Sequence, residues 1–224
     1  MRLISALFLA ALTACSSAPP TLQTGPEAET TFDGLVRIDN SRFKQAWADP
    51  EIDFSQYTKV MPGGATFEFR AVPKTTASRY MTSSQSEFWI SDANRERLEK
   101  TVSDIFAEEI RKASGWSVAE EAGPNVLTLR GALLDIVSYV PPEQIGRSEI
   151  YLSRIGEATL VIEGIDSLSG EVIFRAVERR PVETAGAGAS NLRRSNTVTN
   201  WAEVSRWARR YATAVREGLE SIHQ

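Results

Sequence analysis

The sequence predicts an α+β fold: a mixed, largely antiparallel sheet of about four strands carrying two amphipathic helices. Two long segments, 91–115 and 199–222, repeat apolar residues at helical spacing, whereas the stretches between them alternate with the period of two that suits strands. The polar pentapeptide "DSLSG" (166–170) joins two such runs and reads as a hairpin loop. With 224 residues, 42% of them hydrophobic, the chain can bury a substantial core.

Before that body stands a leader. Met1 and Arg2 give a short positive start, and "LISALFLAALTA" (3–14) is too short to cross a bilayer at about 1.5 Å per residue, so residues 1–14 read as a secretory signal peptide. Leu12, Thr13 and Ala14 ahead of Cys15 resemble the bacterial lipoprotein signal. That resemblance implies that Cys15 is diacylated, becomes the first residue after cleavage and ties the protein to a lipid bilayer. Ser16, in place of aspartate, implies onward sorting to the outer membrane, with the domain facing the periplasm. A lone cysteine forms no internal disulfide, and one used as an anchor is withdrawn from redox and metal chemistry. Residues 15–33 are rich in Ser, Thr, Pro, Gly and Glu and read as a flexible tether reaching about 25 Å. Residues 34–224 then form a single α+β domain.

Within the domain, "LVRIDNSRFKQAWADPEIDFSQY" (35–57) reads as an irregular arm interrupted by Pro50, with Asp49, Glu51 and Asp53 shaping a turn because they lack the spacing of a calcium loop. A first strand begins at "YTKVM" and resumes at "ATFEFRAV" after the Pro62-Gly63-Gly64 break, with Phe67 and Phe69 on one face. The polar stretch 73–87 reads as a loop. The first helix follows, capped by Ser91 or Asp92, carrying Leu98, Val102, Ile105, Phe106 and Ile110 as its stripe and stopping near Gly115. In "NVLTLRGALLDIVSY" Leu127, Leu129 and Leu133 share a face. The hairpin strands alternate Ala158, Leu160 and Ile162 with Thr159, Val161 and Glu163, and Val172, Phe174 and Ala176 with Ile173, Arg175 and Val177; apolar residues on both faces suit a central position. After a Gly- and Ala-rich loop (183–196) the last helix is expected to be capped by Asn200 with Glu203 three residues on, burying Val204, Trp207, Ala208, Tyr211, Val215 and Leu219.

The strings "DFSQYTKV", "LTLRGALLDI", "GEATLVIEGIDSLSGEVIFRAVERR" and "WAEVSRWARRYATAVREGL", taken in order after a lipoprotein signal, resemble a widespread family of bacterial lipoproteins defined by a domain of unknown function. In "MPGGATFEF" the chain departs from that pattern, where members run on as an uninterrupted strand. The resemblance carries over a location and a fold type, and no catalytic or ligand residues.

The residues themselves argue for a non-catalytic accessory or interaction module. The only histidine, His223, lies one residue from the end, where a His-based triad or multi-histidine metal site is not expected, and no cofactor or metal is implied. A ligand-binding or carboxylate-dependent hydrolytic lipoprotein is the alternative, with Asp135, Glu163 and Asp166 as the candidate acids. Asp166 also suits a turn and Glu163 a solvated strand face. A net charge of -4 and an exported address exclude nucleic acid as the partner. Positive charge nonetheless gathers late in the chain. Arg206, Arg209 and Arg210 share a helix face, and with Arg193 and Arg194 beside them they would offer a patch to an envelope protein complex or an anionic envelope component. The competing reading is a solvated face paired with Glu203, Glu217 and Glu220.

Overall fold

In the computed structural model, residues 18–74, 86–141, 149–185 and 192–223 are described. Four long strands make the centre of the main sheet: β4 (Lys59–Phe69), β6 (Val126–Ser138), β8 (Arg154–Asp166) and β9 (Val172–Glu183). Around them lie β1 (Thr21–Leu22), β2 (Val36–Asp39), β3 (Gln45–Ala48) and β5 (Ser117–Val118), giving eight strands in the order β1-β2-β3-β9-β8-β6-β4-β5. Two further pieces, β7 (Tyr151–Leu152) and β10 (Arg193–Arg194), pair apart from it. The helices are α1 (Asp92–Ile110) and α2 (Thr197–Glu220). Among the described residues no helix is long and apolar enough to cross a membrane.

The fold is therefore α+β with two helices and a large mixed sheet, but the main sheet has eight strands where about four are expected. The additional ones are two to four residues long, too short to show an alternating pattern. Two come from the arm: β3 pairs antiparallel with β9 through Gln45–Ala48 and covers what would otherwise be a bare edge. The stretch expected as a tether also differs. Thr21 and Leu22 pair with Asp39 and Ile38, and Thr30 bridges Val36. Cys15 itself lies outside the described residues, as do residues 1–14.

β4 runs parallel to β6 with α1 between them in the chain, and the β6-β8-β9-β3 pairings are antiparallel. The Pro62-Gly63-Gly64 break is a bulge inside one continuous strand: the register shifts between Pro62 and Ala65, and Gly64 takes φ +85°, which glycine adopts without strain. A second bulge in β6 centres on Asp135, at φ +53°. It switches the buried face from Leu127, Leu129 and Leu133 to Ile136.

Both helices lie on that buried face. Tyr211, Val215 and Leu219 of α2 pack against Leu127, Leu133, Leu160 and Ile162. α1 leans on α2 instead, with Val102 and Ile105 meeting the fully buried Ala208 and Ala212. The two run in the same direction: Arg97 stacks on Trp201 near their starts, and Ser114 N donates to Glu220 near their ends. Ser91 caps α1 as expected. The cap of α2 is Asn196, in a reciprocal box with Thr199, so the helix starts three residues before the expected Asn200–Glu203 box. Glu203 is instead drawn inward by two arginines.

Candidate functional site

Glu203 is 1% exposed on the inner side of α2. Its Oε1 accepts from Arg193 Nη1 at 3.1 Å and from Ala185 N at 3.2 Å, while Oε2 accepts from Arg206 one helical turn on. Arg193 and Arg206 are thus gathered, but as counter-ions of one buried carboxylate. Arg194 pairs with Glu149 at 3.1 Å on the surface. Arg209 and Arg210 are exposed on the outer side of α2, and the field of Arg209 contributes to holding Glu108 of α1 below the usual carboxylate range, after the larger effect of Lys112. The five arginines therefore divide into three groups. Glu217 pairs with Arg42, and Glu220 with Arg216 at 2.8 Å.

The candidate acids stand apart from the helices. Asp135 and Glu163 belong to the open face of the sheet, each between two guanidiniums. Arg70 Nε and Nη2 donate to Asp135 at 2.6 and 2.5 Å and Arg179 Nη1 at 2.8 Å, holding its carboxyl at about 2, with Arg70 the stronger influence. Glu163 is partly buried, which raises its pKa, but Arg175 and Arg130 outweigh this and hold it below the ordinary range. Arg175 Nη2 continues to Asp33 at 2.7 Å, so Arg130, Glu163, Arg175 and Asp33 form one alternating chain of charge. A general acid needs the opposite shift. Asp166 caps the β8–β9 turn, accepting from Leu168 N and Ser169 N at 3.0 and 2.8 Å and from Tyr57 Oη at 2.8 Å. Asp49 and Asp53 likewise cap local backbone, accepting from Glu51 N and Ser55 N. His223 ends a short 3₁₀ turn after α2. Among the described residues no cluster of His, Cys, Asp or Glu is arranged to hold a metal ion.

Among the described residues, two cavities stand out on the helix face. The larger, about 720 Å³, lies where both helices begin, walled by Trp89, Trp201, Trp207 and Ile155, with Asn94, Asn196 and Asn200 around it. Much of its polar lining is committed locally: Asn196 Oδ1 caps α2, and Asn200 Nδ2 donates to Ser195 Oγ at 2.9 Å. The Trp207 indole N–H, buried on its wall, has no hydrogen-bond partner among the described residues. The segments 75–85, 142–148 and 186–191, next to it in sequence, lie outside the described residues. The smaller cavity, about 400 Å³, lies beneath α1, between that helix and strands β4 and β6, and is lined by apolar side chains such as Phe67, Phe106, Ile110, Leu129 and Leu160.

Nothing local in the sequence announces these cavities, because each belongs to a distance between a helix and a sheet. One partial signal was present. Ala208 and Ala212, four apart, let α1 approach α2 closely and so fix where α1 stands. Glu203 also had a signal, an acidic residue within an otherwise apolar stripe.

No curated protein matches the sequence. Solved structures that resemble the fold include the PelC dodecamer from Paraburkholderia phytofirmans, at 13% identity over 78% of this chain and 94% of that one, TM-score 0.35. A putative neuraminyllactose-binding hemagglutinin homolog from Helicobacter pylori aligns at 12% identity over 75% and 89% of the two chains, TM-score 0.39. A hypothetical protein from Chlamydia trachomatis aligns at 9% identity over 73% and 98%, TM-score 0.37. Likeness this distant carries no inference about activity or assembly. Residues 30–215, from the bridge at Thr30 to Val215 in the core of α2, match the family described as "Protein of unknown function (DUF3313)", and the chain belongs to that family.

Proposed function

We propose that this protein is an envelope lipoprotein, acylated on Cys15 and held at the outer membrane with its domain in the periplasm, where it serves as a non-catalytic binding or accessory module. The observation that carries the reading is the placement of the only cysteine, directly after "LTA" and six residues ahead of β1. Two acyl chains at that residue anchor a protein stably. The short link would keep the domain close to the lipid surface, since six residue steps span at most about 21 Å. The cavity beneath α1 favours a second form of the same reading, in which the module binds a small apolar ligand.

Mass spectrometry of the N-terminal peptide from membranes tests the anchor. The wild-type peptide should begin at acylated Cys15, and Cys15→Ser should accumulate as an uncleaved, unlipidated precursor. Cleavage elsewhere, or a wild-type peptide without lipid, would overturn the reading.

A further inference from the structure

The cavity beneath α1 exists because the two helices are supported differently. α2 sits on the sheet through Tyr211, Val215 and Leu219, whereas α1 packs on Ala208 and Ala212 through Val102 and Ile105, and its Leu98, Phe106 and Ile110 reach the sheet core without filling the space over β4 and β6. The resulting space of about 400 Å³ is well above the roughly 150 Å³ of an engineered apolar cavity that takes up benzene, and within the range of ligand sites. The space opens to solvent, and water entering it would find few polar partners along its apolar walls. Of its polar lining residues, Arg130 is engaged by Glu163, and Ser103 is exposed. Arg111 stands at the end of α1 with an exposed side chain that makes no ion pair with a described residue.

A peptide is a poor occupant. Its backbone N–H and C=O groups would need partners, and among the described residues the backbone open beside the cavity is the edge of β4 beyond Val60, because β5 pairs only with Lys59 and Val60. That edge carries Pro62, which has no N–H, and the bulge at Gly63 and Gly64, both of which oppose addition of a strand. An unbranched hydrocarbon needs no such partners, and a single one suits the volume. An acidic head on it would meet Arg111.

The acyl group on Cys15 is not well placed to be this hydrocarbon. On the anchored reading its acyl chains are held in the bilayer, where each buried methylene contributes about 0.8 kcal/mol, so they are not free to fill the cavity. We therefore propose that the cavity binds the chain of a separate long-chain fatty acid, with its carboxylate paired to Arg111. The inference rests on the anchored reading for its supply of lipid, and it makes the accessory module a carrier or sensor of single-chain acids.

The probe is palmitate bearing a diazirine on its chain and a terminal alkyne, added to membranes containing the full-length protein and cross-linked by light. Labelled peptides should map to β4, α1 and β6, and excess palmitate should compete. Ala107→Trp, filling the cavity from α1, should lower labelling about tenfold, and Arg111→Glu, a surface change that leaves the core untouched, several-fold. Labelling spread evenly over the domain, or unchanged in Arg111→Glu, would overturn the proposal. A photoactive diacyl phosphatidylglycerol labelling the same peptides in preference to palmitate would overturn the single-chain acid. Labelling that emerges only in Cys15→Ser would show the protein's own acyl chain in the cavity, which also overturns it. The mass of the N-terminal peptide, read in the same samples, reports the anchor separately.

Discussion

Replacing both Arg193 and Arg206 by alanine tests whether these side chains serve the fold or a ligand. Glu203 is 1% exposed and is neutralised by these two guanidiniums, which are themselves 40% and 54% exposed. Without them the carboxylate keeps one donor, Ala185 N at 3.2 Å. A buried charge stripped of its partner costs about 3–5 kcal/mol. Water entering where two half-exposed side chains stood should reduce this to about 2–4 kcal/mol. For a chain of this size the loss lowers the unfolding midpoint by about 5–15 °C. Glu203→Gln removes the charge yet keeps an acceptor for Ala185 N, at a cost of about 1 kcal/mol. Combining it with the double alanine variant should therefore recover most of the loss. Urea unfolding followed by circular dichroism gives each value, provided the slope of stability against denaturant is unchanged. A loss below about 1 kcal/mol in the double variant, or no recovery in the triple, would refute the argument and return both arginines to the free cations that an anion receptor requires.

Two further perturbations probe the sheet. Asp135 has a depressed pKa of about 2, so its contribution is fully present above pH about 4 and is lost as pH falls through 2. Asp135→Asn, which tolerates the same left-handed backbone, should lower stability by about 1 kcal/mol at pH 7 after allowing for a side chain 39% exposed. The gap from wild type should shrink as pH falls from about 4 and close only below pH 2, and a gap independent of pH would count against the pairing. Gly164→Ala places a Cβ 2.0 Å from Phe174 Cε1 and forces that ring away from Phe54, at a cost of about 1–3 kcal/mol in thermal unfolding. Adding Phe174→Leu should restore part of it, and failure to do so would mean that the clash lies elsewhere.

What could be read in advance follows the length of the pattern. The strands of eleven to thirteen residues and both helices repeat long enough for their periods to show, and "DSLSG" carries Asp166 as a turn former. Thr21–Leu22 and Ser117–Val118 are two residues each, set by partners far away in sequence, and no local rule marks them. Asn196 was obscured because Asn200 and Glu203 supply an equally good capping spacing; Arg193 and Arg206, which draw Glu203 inward, decide between them. The arginines were recognisable as a group, but which carboxylate each would meet depended on the path of the chain after β9. The cavity beneath α1 depends on the size of Ala208 and Ala212 together with the height of a helix above a sheet, a relation between elements that neither segment states alone.

The order of the chain also governs when this domain can become a domain. α2 comes last, yet Tyr211, Val215 and Leu219 provide much of the apolar cover for β6 and β8. Until those residues have been synthesised, the hairpin face has no lid, α1 has no Ala208 and Ala212 to rest on, and Glu203 is not yet there to receive Arg193. The core of such a chain is completed only after α2 has been made. During that interval its bare strands are exposed to aggregation, and the arrival of α2 closes the core without any further signal.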